Sequence, residues 1–197
     1  MDGLKKIALL CLILTTYSLL SSCMSATSAT MTGAEAVYNR NALKKTLNDH
    51  YITMKATRAI YIDTDKYKDT HVSVSTFNNV VLLAGEVNTP NQKTAIENIV
   101  KKIKGIDELH NLITTSHSSS ALTRVSDSWI TAKIRAKLIA MNDIDPSKIK
   151  VVTENGTVFL MGIIPHAEAD IIIDIARTTD GVQSVVKIFS YLQVTKV

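Results

Sequence analysis

The residues with the most suggestive chemistry lie on one short segment: Trp129, Ala132, Lys133, Arg135, Ala136, Lys137 and Ile139. At the α-helical step of about 100° per residue, Trp129, Ala132, Ala136, Ile139 and Ala140 share one face. Ile130, Ile134, Leu138 and Met141 share another. A domain helix needs only one apolar stripe for its core. The second stripe carries Trp. Lys133 and Lys137 edge it on one flank, Thr131 and Arg135 on the other. That combination suits a lipid interface: Trp sits at headgroup level, while Lys and Arg meet phosphates and lay their stems on apolar surface. The same face could instead pack on another domain or complete the core. The helix pattern alone leaves both readings open.

Other chemistries find no support. The chain has no Gly-x-Ser-x-Gly, no phosphate-cradling glycine loop and no HExxH pair. Its five histidines, His50, His71, His110, His117 and His166, show no ligand spacing. The acidic residues fall mostly in loops and caps, without a catalytic pair. Asp63, Asp65 and Asp69 lie in a polar loop at 63–70, but a calcium loop needs Gly at its sixth position and Glu at its twelfth. Lys68 and Val74 stand there. We therefore expect no enzyme activity, no metal and no cofactor. The net charge of +4 over 197 residues fits an anionic surface and is too small to indicate nucleic acid.

The N-terminus reads as a targeting segment. Lys5 and Lys6 precede an apolar run at 7–14 that is too short to span a membrane comfortably. It leads to Leu20-Ser21-Ser22-Cys23, which resembles the lipobox of bacterial lipoproteins. That resemblance implies a signal peptide at 1–22 and acylation of Cys23, which becomes the mature N-terminus. Cys11, the only other cysteine, is removed with the leader, so the mature chain has no disulfide. Met24, not Asp, follows Cys23; by similarity to enterobacterial sorting rules this implies the outer membrane. Residues 24–32 are rich in Ser, Thr and Ala and read as a tether.

The helix of Trp129 belongs to a repeat. Asp127-Ser128-Trp129-Ile130-Thr131-Ala132-Lys133 echoes Asp49-His50-Tyr51-Ile52-Thr53-Met54-Lys55. Each copy opens a helix, followed by a strand pair, a second helix and a last strand, in the order αββαβ. The predicted division is a lipidated tether and lead-in at 23–45, domain 1 at 46–114, a Ser/Thr-rich linker at 115–125 and domain 2 at 126–194. In domain 1 the first helix is expected over about 44–62, with Ile52, Ala56, Ala59 and Ile60 on its buried face. Asn78-Asn79 is the hairpin turn. Thr89, Pro90 and Gln92 form a capping box, and a third strand covers 106–113. In domain 2 the helix runs to about Met141, Asn155-Gly156 is the turn, a helix starts at Pro165 and the last strand covers 182–192. Gly85 and Gly162 are expected to stop the second strand of each copy, Gly105 and Gly181 the second helix, at points where positive φ or close backbone approach excludes a side chain.

The αββαβ unit with these glycines resembles the BON domain. The two long runs of the second copy, 127–135 and 153–162, carry the closest likeness, and Tyr38-Asn39-Arg40 looks like the family's approach to its first domain. Two such units behind a lipobox resemble the dual BON-domain outer-membrane lipoproteins of the DolP (YraP)-like phospholipid-binding family. The resemblance implies an α+β fold, with each domain a three-stranded mixed sheet packed on two helices. It implies a periplasm-facing, outer-membrane lipoprotein that binds anionic phospholipid, phosphatidylglycerol or similar, through the first helix of domain 2. Envelope integrity and the division site are the implied setting. A tethered adaptor that docks on envelope proteins is the alternative. The first copy departs most from the pattern, and Arg58 among Tyr51, Met54 and Tyr61 predicts less insertion there.

Overall fold

The computed structural model describes residues 33–62, 67 and 69–192. Cys23, the leader, the tether and most of the 63–70 loop lie outside them. Helix α1 is Gly33–Tyr61, followed by strands β1 (His71–Phe77) and β2 (Val80–Val87), helix α2 (Pro90–Val100) and strands β3 (Glu108–Asn111) and β4 (Thr114–Thr115). Helix α3 is Ala121–Ile139. A 3₁₀ turn (Pro146–Lys148), β5 (Ile149–Glu154), β6 (Thr157–Ile164), α4 (His166–Arg177) and β7 (Ser184–Tyr191) complete the chain. In each copy the hairpin is antiparallel and the last strand joins the sheet parallel to the second. The third strand of domain 1, expected over 106–113, forms only over Glu108–Asn111, and pairing with β2 resumes beyond the expected end at Thr114–Thr115.

The repeated motif is a structural device, and its parts can be assigned. Both carboxylate oxygens of Asp127 accept from the turn amides of Asn155 and Gly156, at 2.8 and 2.9 Å. Asp49 does the same for Asn78 and Asn79, at 2.7 and 2.8 Å. These turns need positive φ, which Asn78, Asn79, Asn155 and Gly156 supply. The motif threonines reach the end of the first strand: Thr53 Oγ1 to Thr76 Oγ1 at 2.9 Å, and Thr131 Oγ1 to Thr153 Oγ1 at 2.7 Å. Ile52 and Ile130 enter the two cores. The motif thus fastens each first helix to its own hairpin.

Several expected boundaries move. Helix α1 begins at Gly33, well before 44. Helix α3 begins at Ala121, inside the stretch read as linker, because Ser120 caps it by accepting from the Thr123 amide. It ends at Ile139, which leaves Met141 partly exposed instead of in the core. Gly85 and Gly162 do not stop their strands, for β2 runs on to Val87 and β6 to Ile164. A Cβ on Gly85 would stand 2.1 Å from the His71 carbonyl, and one on Gly162 2.8 Å from that of Lys148. Both glycines lie at the far end of the antiparallel hairpin ladder, opposite Val72 and Ile149, where the first strand of each pair enters close against them. Helices α2 and α4 end before Gly105 and Gly181, and short turns carry the chain to both. The capping box at Thr89 and Gln92 forms as expected.

Strands β2 and β6 are buried on both faces. Val81 and Leu83 join Ile52, Ala56 and Ile60 under α1 and α2; Val158 and Leu160 join Ile130, Ile134 and Leu138 under α3 and α4. The alternate residues, Leu82 and Ala84 from one sheet and Phe159 and Met161 from the other, form a third cluster between the sheets. The two domains therefore pack back to back, with one helical layer outside each sheet. The described residues from Asn41 to Leu192 belong to one compact unit. Such apolar two-faced strands lose the alternation of a half-exposed strand.

Polar contacts pin one edge of this interface. His71 Nε2 lies 3.1 Å from Glu154 Oε2, and Lys150 Nζ donates to the Thr76 carbonyl at 2.9 Å. The hydrogen bond to Glu154 is the main reason the His71 pKa rises above its usual value; burial and Arg124 oppose it. A raised folded-state pKa stabilises fully below the unfolded value of about 6.5, and this contribution is lost as pH rises through the folded value. We expect the wild-type melting temperature to fall relative to His71→Gln between pH 6 and pH 8.5. Parallel curves for the two proteins would show that the pair contributes nothing across that window.

Candidate membrane interface

The outer face of α3 is open. Ile130, Ile134 and Leu138 are buried toward β5 and β6, and Asp127 is held by the turn amides. The opposite face presents Trp129, 66% exposed, and Ile139, 68% exposed, with Ala132 and Ala136 exposed between them. Neither the first domain nor the core covers these four side chains. The early start of the helix adds two apolar residues that the linker reading hid: Leu122, 79% exposed, and Val125, 57% exposed. They lie seven and four residues before Trp129, on the same face at helical spacing. Leu122, Val125, Ser126, Trp129 and Lys133 line an open depression of about 600 Å³.

The cations divide between the flanks. Lys133 and Arg135 are exposed on opposite sides of the stripe. Lys137 is also exposed, but its Nζ donates to Thr179 Oγ1 at 2.9 Å, which draws it toward α4. A contiguous apolar patch with charged borders is the usual mark of an interaction surface. Among the described residues no group of histidines, cysteines and acids could hold a metal ion. No helix among them is long and apolar enough to cross a membrane.

Helix α1 presents a related face with a different end. Leu43, Leu47, Tyr51 and Met54 are exposed at helical spacing, opposite Ile52, Ala56 and Ile60. Aligning Asp49 with Asp127 sets Tyr51 on Trp129, Arg58 on Ala136 and Tyr61 on Ile139. Arg58 therefore interrupts this stripe. Tyr61 is turned inward: its hydroxyl accepts from the Val72 amide at 2.8 Å and donates to the Val72 carbonyl at 3.0 Å. Because the helices cover opposite outer layers, the two stripes point away from each other. A single flat surface can meet only one of them.

Two copies of one helix-and-hairpin unit, joined through their sheets, agree with the family comparison: the chain matches the BON domain at residues 48–116 and again at 126–193. The chain belongs to the BON domain family. It is 30% identical over 146 residues to the outer membrane lipoprotein DolP of Haemophilus influenzae, covering 74% of this chain and 76% of that one. It is 31% identical over 147 residues to a 21 kDa hemolysin of Actinobacillus pleuropneumoniae, covering 75% and 76%. With the osmotically-inducible protein Y of Escherichia coli it shares 33% identity over 159 residues, covering 78% and 77%. Both BON domains begin at the conserved-in-repeat Asp of α1 or α3, give or take a residue. The segment that extends α3 upstream, with Leu122 and Val125, precedes the second match.

Proposed function

We propose that this protein is an outer-membrane lipoprotein, acylated at Cys23 and facing the periplasm, whose second BON domain binds anionic phospholipid through the outer face of α3. Its role is non-catalytic and supports outer-membrane integrity, with the division site as one place of action. The observation that carries this reading is the exposed stripe of Leu122, Val125, Trp129 and Ile139 bordered by Lys133 and Arg135. Similarity to an outer membrane lipoprotein, and the lipobox at Cys23, support the location. Apolar insertion would supply most of the affinity, since a fully buried large apolar side chain contributes about 1.5–3 kcal/mol. Lys133 and Arg135 would add ~1 kcal/mol each near an anionic surface, an attraction that salt screens. Co-sedimentation of the unlipidated mature chain tests it. Binding to phosphatidylglycerol vesicles should be clear at low salt, weaker at high salt and weak on phosphatidylcholine. Equal binding to both lipids, or none, would refute it.

A second reading has its own support. The stripe of Leu43, Leu47, Tyr51 and Met54 faces away from that of α3, as in an adaptor that docks a protein while its lipid holds it at the membrane. Absence of vesicle binding would favour this role.

Anchoring is a separate matter. Three acyl chains, each CH₂ contributing ~0.8 kcal/mol when buried, would make attachment effectively permanent. Cys23→Ser should leave the protein unprocessed or release it from the outer-membrane fraction. Unchanged fractionation, with no lipid on the wild-type N-terminal peptide by mass spectrometry, would overturn the lipobox reading.

A further inference from the structure

Lys150 sits at the start of β5, half-buried, and none of the salt bridges among the described residues includes it. Its one hydrogen bond goes to a neutral acceptor, the Thr76 carbonyl of the other domain. Desolvation holds its pKa below the usual lysine value; Arg135 pushes the same way and Asp49 opposes. A cation withdrawn from water without an anionic partner is costly. The cost would be offset by an anion.

The surroundings favour one. Lys150 lines a groove of about 460 Å³ along the free edge of β5, with α3 on one side and β1 on the other. Arg124 and Arg135 line it from α3, His71 from β1. The two carboxylates on its walls are already engaged: Asp127 by two turn amides, Glu154 by His71. Arg124 gives one N–H to the Ser119 carbonyl, and its guanidinium has further donors. Three cations from two elements thus face one depression whose acids are occupied.

We propose that this groove binds a phosphate group, with Lys150 as a point charge and Arg135 and Arg124 as forked donors. Guanidinium groups pair with two phosphate oxygens at once, and an ammonium supplies charge without a fixed direction. The phosphate could come from a lipid headgroup or from a free phosphate ion. The headgroup source rests on the membrane reading above. Arg135 lies on the flank of the helix that bears Trp129, so a lipid whose tails met the outer face would bring its headgroup to the groove.

The test uses the unlipidated mature chain, isotope-labelled for NMR. It is titrated with inorganic phosphate and with glycerophosphoglycerol, the soluble headgroup of phosphatidylglycerol, and then sedimented with phosphatidylglycerol vesicles. We expect amide shifts at residues 149–154 and around Arg135 with a soluble probe. Lys150→Gln and Arg135→Gln should each weaken that binding about tenfold, the scale of one charge-assisted hydrogen bond. Tighter binding of glycerophosphoglycerol assigns the headgroup as the source, and equal or tighter binding of inorganic phosphate assigns the free ion. Shifts spread over all surface lysines, or binding that neither variant weakens, would overturn the groove. If no soluble probe binds and Lys150→Gln still sediments with vesicles, the groove fails while the membrane reading stands. If the groove binds a soluble probe and vesicles do not bind, the membrane reading fails and the groove stands. Arg135 is exposed, so its variant keeps the test decisive if Lys150→Gln does not fold.

Discussion

Trp129→Glu should abolish sedimentation of the unlipidated protein with phosphatidylglycerol vesicles and leave its melting temperature unchanged. The side chain is 66% exposed and belongs to neither the core under α3 nor the cluster between the sheets. A surface substitution of this kind usually alters stability by about 0.5 kcal/mol or less. At the membrane the change is large, because it replaces the one tryptophan of the chain, at the middle of the apolar stripe, with an anion facing anionic lipid. Tyr51→Glu is the matched control. Tyr51 occupies the equivalent place on α1, whose stripe faces the other way and is broken by Arg58. It should leave vesicle binding intact. If Tyr51→Glu abolished binding and Trp129→Glu did not, the membrane would meet the first domain instead.

Asp127→Ala should have the largest effect on stability. Asp127 is 5% exposed, and both of its oxygens accept backbone amides of the β5–β6 turn. Hydrogen bonds to a charged acceptor contribute about 1.5–3 kcal/mol each, so losing two should cost about 3 kcal/mol or more. For a chain of this length that corresponds to a drop of roughly 6–12 °C in melting temperature. Asp49→Ala should act alike on the first domain, since Asp49 holds the Asn78-Asn79 turn through the same pair of bonds. Asp127→Asn should recover only part of the loss, because one amide oxygen replaces two carboxylate oxygens. A melting temperature within 2 °C of wild type for Asp127→Ala would show that the turn holds its shape without the carboxylate (~0.5–1 kcal/mol on the same scale).

Much of the local structure was legible because it rests on short-range rules. The Asn78-Asn79 and Asn155-Gly156 turns follow from residues that tolerate positive φ, and the Thr89 capping box from spacing alone. Helix starts were less legible. Ser120 looked like one more polar linker residue, and its capping role depends on Leu122 and Val125 being helical too. Ser and Thr serve equally in loops and at N-caps, so composition could not decide between them. The candidate site suffered accordingly. Its second half, from Trp129 to Ile139, reads as a stripe in the sequence, whereas Leu122 and Val125 fall in a stretch whose composition reads as linker. The pairing of Gly85 with Gly162 and of Gly105 with Gly181 is legible because positive φ or close backbone approach excludes a side chain at each; only the strand ends fall elsewhere, since β2 and β6 continue past their glycines to pair with the last strand.

By itself the sequence determined the duplication, the αββαβ order and the two apolar faces of the α3 helix, since each depends on residues close together along the chain. Only the tertiary structure decided what those faces meet. Val-Leu-Leu-Ala in β2 and Val-Phe-Leu-Met in β6 are apolar on both sides, yet nothing local says that the second side of each would find the other. That pairing joins residues over seventy positions apart. Once the sheets are back to back, the first domain occupies the far side of the second sheet. It is no longer available to cover α3, and Trp129 is left facing outward.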